Sequence, residues 1–229
     1  MYDASDTPMT IDVISDVVCP WCYIGKRRLD AALATRPAIK ADIRWRPYQL
    51  DPSIPPEGID RQDYLLRKFG DPQKIVAMHQ RITAQGVEDG IAFNFVGIDR
   101  SPNTFDAHRL IRWAGDVGLA DDVVEQLFDT YFTQGRDIGD HAVLLEIAER
   151  AGMRGDGVAR LLAGTEAREE VTIEILQAQQ MGIQGVPCFI FASKIAVQGA
   201  HPAETLVQAL DEALQAIRME EDEDEVFCQ

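Results

Sequence analysis

The stretch "SDVVCPWCYIGKRRL", Ser15 to Leu29, sets two cysteines two residues apart where a strand-like run gives way to a helix-like one. Just upstream, "TIDVISDVV" (Thr10 to Val18) carries Ile11, Val13 and Val17 on one parity and Ile14 and Val18 on the other. That is the pattern of a strand buried on both faces. Pro20 falls where the first residue of a helix would stand, a position that tolerates proline. The helix is expected to run to about Thr35 and to stop before Pro37. "ADIRWRPY" (Ala41 to Tyr48) alternates Ile43 and Trp45 with Asp42, Arg44 and Arg46, and so reads as a second strand ended or edged by Pro47. Strand, helix and strand in this length make a right-handed crossover unit.

Pro52, Pro55, Pro56 and Gly58 mark a loop. From Arg61 to about Gln180 the chain reads almost entirely as helix. Asn103 and Thr104 cap one helix with Ala107, Leu110, Ile111 and Ala114 on a face. Asp121 opens another, closed by Gly135, and Asp140 a third, closed by Gly152. Thr165 opens a longer helix that reaches Gly182. Then "GVPCFIFAS" and "KIAVQGA" form two strands with only Ser193 and Lys194 between them, a tight hairpin. Pro202 starts a last helix with Leu206, Leu210, Leu214 and Ile217 on one face. The order β-α-β, helical insertion, α-β-β-α is that of an α/β thioredoxin fold with a large all-helical insertion. Residues 9–52 and 183–218 form the thioredoxin-like domain. Residues 53–182 form the insertion, whose last helix (165–182) packs back on the sheet. Residues 219–229, with the acidic run "EEDEDE", form a disordered end.

The chain has 229 residues, 46% of them apolar, enough for a sizeable core. Its 38 acidic and 22 basic residues leave a net charge of −16, which argues against nucleic acid as a partner, because such binders replace counterions with cations. No run reaches the roughly 18 uninterrupted apolar residues of a membrane span. "MYDASDTPMT" lacks the basic and apolar regions of a secretory signal. Either the chain is cytoplasmic or a leader has been removed; with only four cysteines and no disulfide lattice the cytoplasm is favoured, where cysteine pairs serve as metal ligands or redox groups more often than as staples.

A structural zinc site wants four ligands. Beyond Cys19 and Cys22 only Cys188 and Cys228 remain, 40 residues apart, and the histidines scatter over positions 79, 108, 141 and 201, so no metal is expected. An inert core role requires neither the pair nor its place at a strand-to-helix junction. A redox role uses every feature. A cysteine at a helix N-terminus sits among unpaired N–H groups at the positive end of the macrodipole, which favour a thiolate. A second cysteine one turn on can attack the mixed disulfide that the first one forms. Cys19 is then the exposed nucleophile and Cys22 the resolving thiol, with Pro20 and Trp21 shaping the helix start and shielding Cys22. "GVPC" (Gly185 to Cys188) precedes the third strand, where a thioredoxin fold places a cis-proline. That bond would bring the Val186 backbone beside Cys19, where a substrate peptide could add as a strand.

The element order together with "DVVCPWCYIGKRRL", "PNTFDAHRLIRWA" and "GVPCFIF" resembles the DsbA-like thioredoxin-fold proteins, specifically their FrnE-like cytoplasmic branch, over roughly Thr10 to Ile217. The resemblance implies a thiol–disulfide oxidoreductase or isomerase, with the redox pair carried over to Cys19 and Cys22 and the cis-proline to Pro187. The implied partners are thiol- or disulfide-containing proteins or small molecules. No tightly bound cofactor is implied, and glutathione enters only as a co-substrate. Kappa-class transferases and 2-hydroxychromene-2-carboxylate isomerases share the layout. They typically carry serine where this chain has Cys19, which favours redox exchange here over glutathione-dependent isomerisation. A third reading is a redox-regulated binding protein whose insertion holds a partner.

Several residues have two readings. Cys188 is either a buried strand cysteine, the commoner fate of free cysteine, or a third thiol in the substrate cleft. His108 is either a wall of that cleft or a helix histidine satisfied by a local hydrogen bond. Cys228 stands behind carboxylates that disfavour its thiolate. Lys26, Arg27 and Arg28 read as a solvated helix face or as a docking site for an acidic substrate. The apolar insertion helices are compatible with a monomer or a homodimer.

Overall fold

The computed structural model describes the backbone of residues 8–227 and the side chains of 8–220. Strand β1 (Met9–Ser15) leads into helix α1 (Pro20–Ala34) and strand β2 (Ala41–Pro47), which lies parallel to β1 with Ile11 opposite Ile43. After the insertion, β5 (Cys188–Phe191) and β6 (Ile195–Gln198) complete the sheet in the order β2-β1-β5-β6, with β5 antiparallel to both neighbours. This is the thioredoxin-type arrangement with a large helical insertion.

The two parities of β1 serve two cores. Ile11 and Val13 pack with Leu29 and Ala32 of α1 and with Leu206 and Leu210 of the last helix, α9 (Ala203–Phe227). Ile14 faces the other way, against Cys188 and Ala178 of α8 (Arg168–Gln180). Helix α8 also packs on β2, so the insertion's last helix covers the sheet. The hairpin turns through Ala192 and Ser193, both at positive φ, rather than through Ser193 and Lys194, and the Lys194 N–H donates to Phe191 O at 2.9 Å. Those φ signs are the ones that match a two-residue turn to the twist of its strands.

The insertion holds α2 (Arg61–Phe69), α3 (Pro72–Glu88), α4 (Phe105–Gly115), α5 (Ala120–Phe132), α6 (His141–Arg150) and α7 (Gly155–Ala163) before α8. Asp60 and Asp71 cap α2 and α3 by accepting from Asp63 N and Gln73 N, both at 2.8 Å. Arg61 begins α2 as expected, but the insertion is not purely helical. Two-residue strands β3 (Ile59–Asp60) and β4 (Arg100–Ser101) pair antiparallel and bring the start of α2 beside the loop that enters α4. Helix α8 starts at Arg168 rather than Thr165, after Ala167 at φ 59°. Residues 219–227, expected as part of a disordered end, continue α9. Glutamate is a good helix former, and Glu220 pairs with Lys194 on β5–β6. Cys228 lies outside the described residues. Among them, no helix is long and apolar enough to cross a membrane.

Candidate active site

Chain geometry at the end of β1 sets the cysteines. Cys19 is the N-cap of α1, with extended φ and ψ of −92° and 113°, and Pro20 is the first helical residue. The Cys19 N–H donates to Asp16 O at 2.9 Å, and Cys19 O accepts from Cys22 N at 3.0 Å. Cys22 therefore lies one turn into the helix, 1% exposed, and Cys19, expected as the exposed thiol, is itself buried at 5% because the Val186 loop covers it. Burial pushes its thiol well above the ordinary range, and the adjoining Cys19 thiol adds to the shift. Cys19, Cys22 and Cys188 are all free thiols.

From the other side comes the loop before β5. Its Val186–Pro187 bond is cis. Cys19 Sγ donates to Val186 O at 3.6 Å across 167 residues of chain. The loop is anchored in turn by Gly199 N–H, which donates to Pro187 O at 2.7 Å. Gly25 lets this loop approach α1, since a Cβ there would stand 2.9 Å from Pro187 Cγ.

Cys19, Pro20, Trp21 and Val186 open onto a cleft of about 390 Å³. Its far wall is the α2–α3 pair, through Tyr64, Leu65, Phe69, Met78 and Ile82, with Phe95 beside them. Arg81 lies over the Trp21 ring, 5.8 Å from its centroid.

Two residues expected as cleft candidates stand elsewhere. Cys188 points to the α8 face of the sheet, buried with Ile14 and Ala178, and burial raises its thiol. His108 is buried behind Asp16. Its Nε2 lies 2.9 Å from Tyr48 O and 3.5 Å from Asp16 Oδ1, and its ring does not line the Cys19 cleft. Strand alternation turns Cys188 away, and α4 directs His108 at the chain leaving β2. Asn103 does serve the start of α4: its Oδ1 accepts from Phe105 N at 2.9 Å and from Gln49 Nε2 at 3.1 Å.

The basic run after Cys22 is taken up by ion pairs, although the Arg27 side chain stays partly in water. Lys26 is 4% exposed and bonds Asp30 and Asp121 at 3.0 Å each. Arg27 pairs with Glu125 at 2.5 Å. Arg28 donates to both Asp89 oxygens, to Gln85 Oε1 and to Ala200 O. These carboxylates come from α1, α5 and the turn after α3, and the Gln85 amide from α3, so the run fastens the insertion to α1.

Sequence reasoning missed the polar residues of the cleft floor: Arg61, His79, Ser101 and Tyr131. They are scattered over 71 positions on three helices and a short strand, and no local spacing joins them. Among the described residues no three His, Cys, Asp or Glu side chains are grouped to hold a metal ion.

Comparison with known proteins places this geometry in a wider group. The crystal structure of the probable DsbA oxidoreductase SCO1869 from Streptomyces coelicolor superposes with a TM-score of 0.82 at 31% identity, covering 90% of each chain. The uncharacterized protein YwbO of Bacillus subtilis (strain 168) is 25% identical over 204 residues, 88% of this chain and 96% of that one. The cytosolic disulfide reductase DsbM from Pseudomonas aeruginosa, solved with GSH, shares the fold at 19% identity and a TM-score of 0.57, over 92% of this chain and 98% of that one. The model of the DSBA-like thioredoxin domain matches residues 10–211. The chain belongs to the DSBA-like thioredoxin domain family.

Proposed function

We propose that this protein is a thiol–disulfide oxidoreductase of the FrnE-like branch, working in a reducing compartment such as the cytoplasm, with Cys19 as nucleophile and Cys22 as resolving thiol. The observation that carries the reading is the position of Cys19. It is the N-cap of α1, lines an apolar cleft and touches the Val186 carbonyl, while Cys22 is buried more deeply, one turn behind it and off the cleft. A helix N-terminus favours the thiolate that exchange requires. The raised thiol of Cys22 suits a group that stays protonated until a disulfide forms on its neighbour.

In the reducing direction, the Cys19 thiolate attacks one sulfur of a substrate disulfide. A Cys19–substrate S–S bond forms, the substrate S–S bond breaks, and one substrate thiolate leaves. Cys22 then attacks Cys19 Sγ and its proton passes to the departing sulfur. The Cys19–Cys22 disulfide closes and the second substrate thiol is released, so two electrons have moved from the cysteine pair to the substrate. The reverse sequence oxidises a dithiol. A disulfide- or thiol-bearing protein or small molecule is the substrate, and glutathione is a co-substrate that returns the pair to its working state.

The test is the pair of single variants. Cys22→Ser should accumulate a mixed disulfide on Cys19, read as added mass that a reductant removes. Cys19→Ser should lose exchange with a model disulfide. Undiminished exchange by Cys19→Ser would refute the assignment.

A further inference from the structure

The floor of the Cys19 cleft carries more unsatisfied polarity than a passive apolar groove. Arg61, at the first position of α2, is 9% exposed. Among the described residues its guanidinium forms no ion pair. Its Nη1 donates to Tyr131 Oη at 2.7 Å and Nε is buried with no partner. Guanidinium has five N–H donors and cannot shed its charge, and a buried charge without a counter-charge is strongly disfavoured. Around it the other orphans gather. Ser101 Oγ is buried with no partner, on the short strand that pairs with the residues before Arg61. His79 Nε2 is likewise buried and unpartnered, its ring stacked on Phe95 at 4.3 Å. Ser101, His79 and Arg61 all line the same cleft as Cys19. Burial, and after it the charge of Arg61, lower the pKa of the His79 imidazole.

Asp16 and Asp51 are the opposing charges in the cleft, and neither forms an ion pair with Arg61. Asp51 Oδ1 accepts from Ser53 N and Oγ. Asp16 Oδ2 accepts from Leu50 N at 2.8 Å, and its Oδ1, buried without a hydrogen bond, lies 3.5 Å from His108 Nε2. The Tyr131 hydroxyl cannot serve as counter-ion either. Burial pushes its pKa to about 12, so it is neutral, and it donates onward to Arg100 O at 3.1 Å.

We propose that this floor is a binding site for the carboxylate of a small apolar acid. The acid group sits on Arg61 with Ser101 and His79 as further donors, and the apolar body lies between Trp21, Leu65, Phe69, Ile82 and Phe95 toward Cys19. A planar guanidinium with free N–H groups matches a carboxylate fork. A cleft of this size and lining, with a few convergent polar groups, has the character of small-molecule sites. That the acid carries the thiol or disulfide exchanged by Cys19 rests on the proposed function; the anion site itself does not.

Calorimetric titration with 2-naphthoate and with its neutral counterpart 2-naphthamide tests this. The wild-type protein should bind the acid saturably and the amide at least tenfold more weakly. Arg61→Met should bind it at least tenfold more weakly and Arg61→Lys should recover part of the loss. Equal affinity for acid and amide, absence of saturable acid binding, or an unchanged Arg61→Met that retains the wild-type circular dichroism spectrum would each overturn the site. The acid–amide comparison on the wild type needs no variant, so it decides even where Arg61→Met fails to fold. Carboxylated and neutral aryl disulfides then link the site to the thiol: Arg61→Met should slow exchange with the former and spare the latter. Intact acid binding in a wild type that exchanges neither disulfide supports the anion site and overturns the exchange reading alone.

Discussion

Gly25 and Pro187 meet with no space for a methyl group between them. A Cβ on Gly25 would stand 2.9 Å from Pro187 Cγ and 3.0 Å from Cζ of the fully buried Phe189. The separation of α1 from the Val186 loop, and with it the Cys19–Val186 contact, depends on a hydrogen atom at position 25. Glycine inside a helix costs up to about 1 kcal/mol relative to alanine, whereas overpacking a filled core costs roughly 1–3 kcal/mol. The second effect wins because a proline ring and a buried phenyl have little freedom to move. Gly25→Ala should therefore lower the urea midpoint and slow exchange at Cys19. Stabilisation with unchanged exchange would contradict this account.

Cys22 and Cys188 should resist alkylation in the folded protein. Both thiols are raised, Cys22 by burial and then by Cys19, Cys188 by burial alone. A raised thiol stays protonated at pH 8 and presents no thiolate. Iodoacetamide followed by mass spectrometry should label neither until urea is added. Because burial is the larger cause at Cys22, Cys19→Ser should leave it nearly as unreactive.

Arg28 should be a stability residue, although it lies in a basic run. Its guanidinium joins Asp89, Gln85 and Ala200 O, tying α1 to α3 and to the chain after β6. Both members of the pair keep a little water contact, 11% and 14%. Arg28→Met should therefore cost about 2–3 kcal/mol, less than the loss of one partner of a fully buried pair. Adding Asp89→Leu should cost less than the sum of the single changes in equilibrium unfolding.

Acid should loosen the contact of α4 with the α7–α8 turn. Arg109 is fully buried and donates to Asp106 Oδ1, Glu166 O, Leu161 O and Gly164 O. Burial pushes the Asp106 carboxyl up, but hydrogen bonds from Arg109 and His141 and the charges of Arg109 and Arg168 outweigh it, and the net shift is downward. A depressed carboxylate contributes stability that is present above its unfolded value, about 3.9, and is lost as pH falls through the lower folded value. Unfolding curves from pH 6 to pH 2 should show a loss in the wild type that is smaller in Asp106→Asn. Arg109→Met should cost roughly 3–5 kcal/mol at neutral pH, because it strands buried acceptors.

The sheet and its flanking helices could be read from sequence because each has a strong local signature. The two parities of β1, Pro20 at the start of α1, the alternation of β2 and the Leu206–Leu210 face of α9 all appear in the structure. Strands β3 and β4 could not, since two residues show no period. Helix α7 lies within the stretch that reads as helix but has no start signal of its own, since "GDG" looks like a breaker, although Val158 and Leu162 are buried behind it. Cys19, Cys22 and Val186 converge as their spacing and position suggested. His108 and Cys188 do not join them, because sequence gives the face of an element but not what lies opposite it. Arg61, His79 and Ser101 meet only through the packing of α2, α3 and β4, and nothing near them in the chain signals it.

Ribosomal synthesis gives the β2-β1-β5-β6 strand order a temporal meaning. Strand β1 finds β2 within a few dozen residues of translation, but its other edge waits for β5, about 175 residues later. Until then the nascent chain carries Cys19 and Cys22 with one edge of the preceding strand β1 unpaired and no Val186 loop over them. Non-local pairings of this kind form late and leave edges exposed meanwhile. The cysteine pair is thus chemically available to cellular oxidants before the structure that governs it exists, and the half-made chain is the form of this protein most open to wrong disulfides.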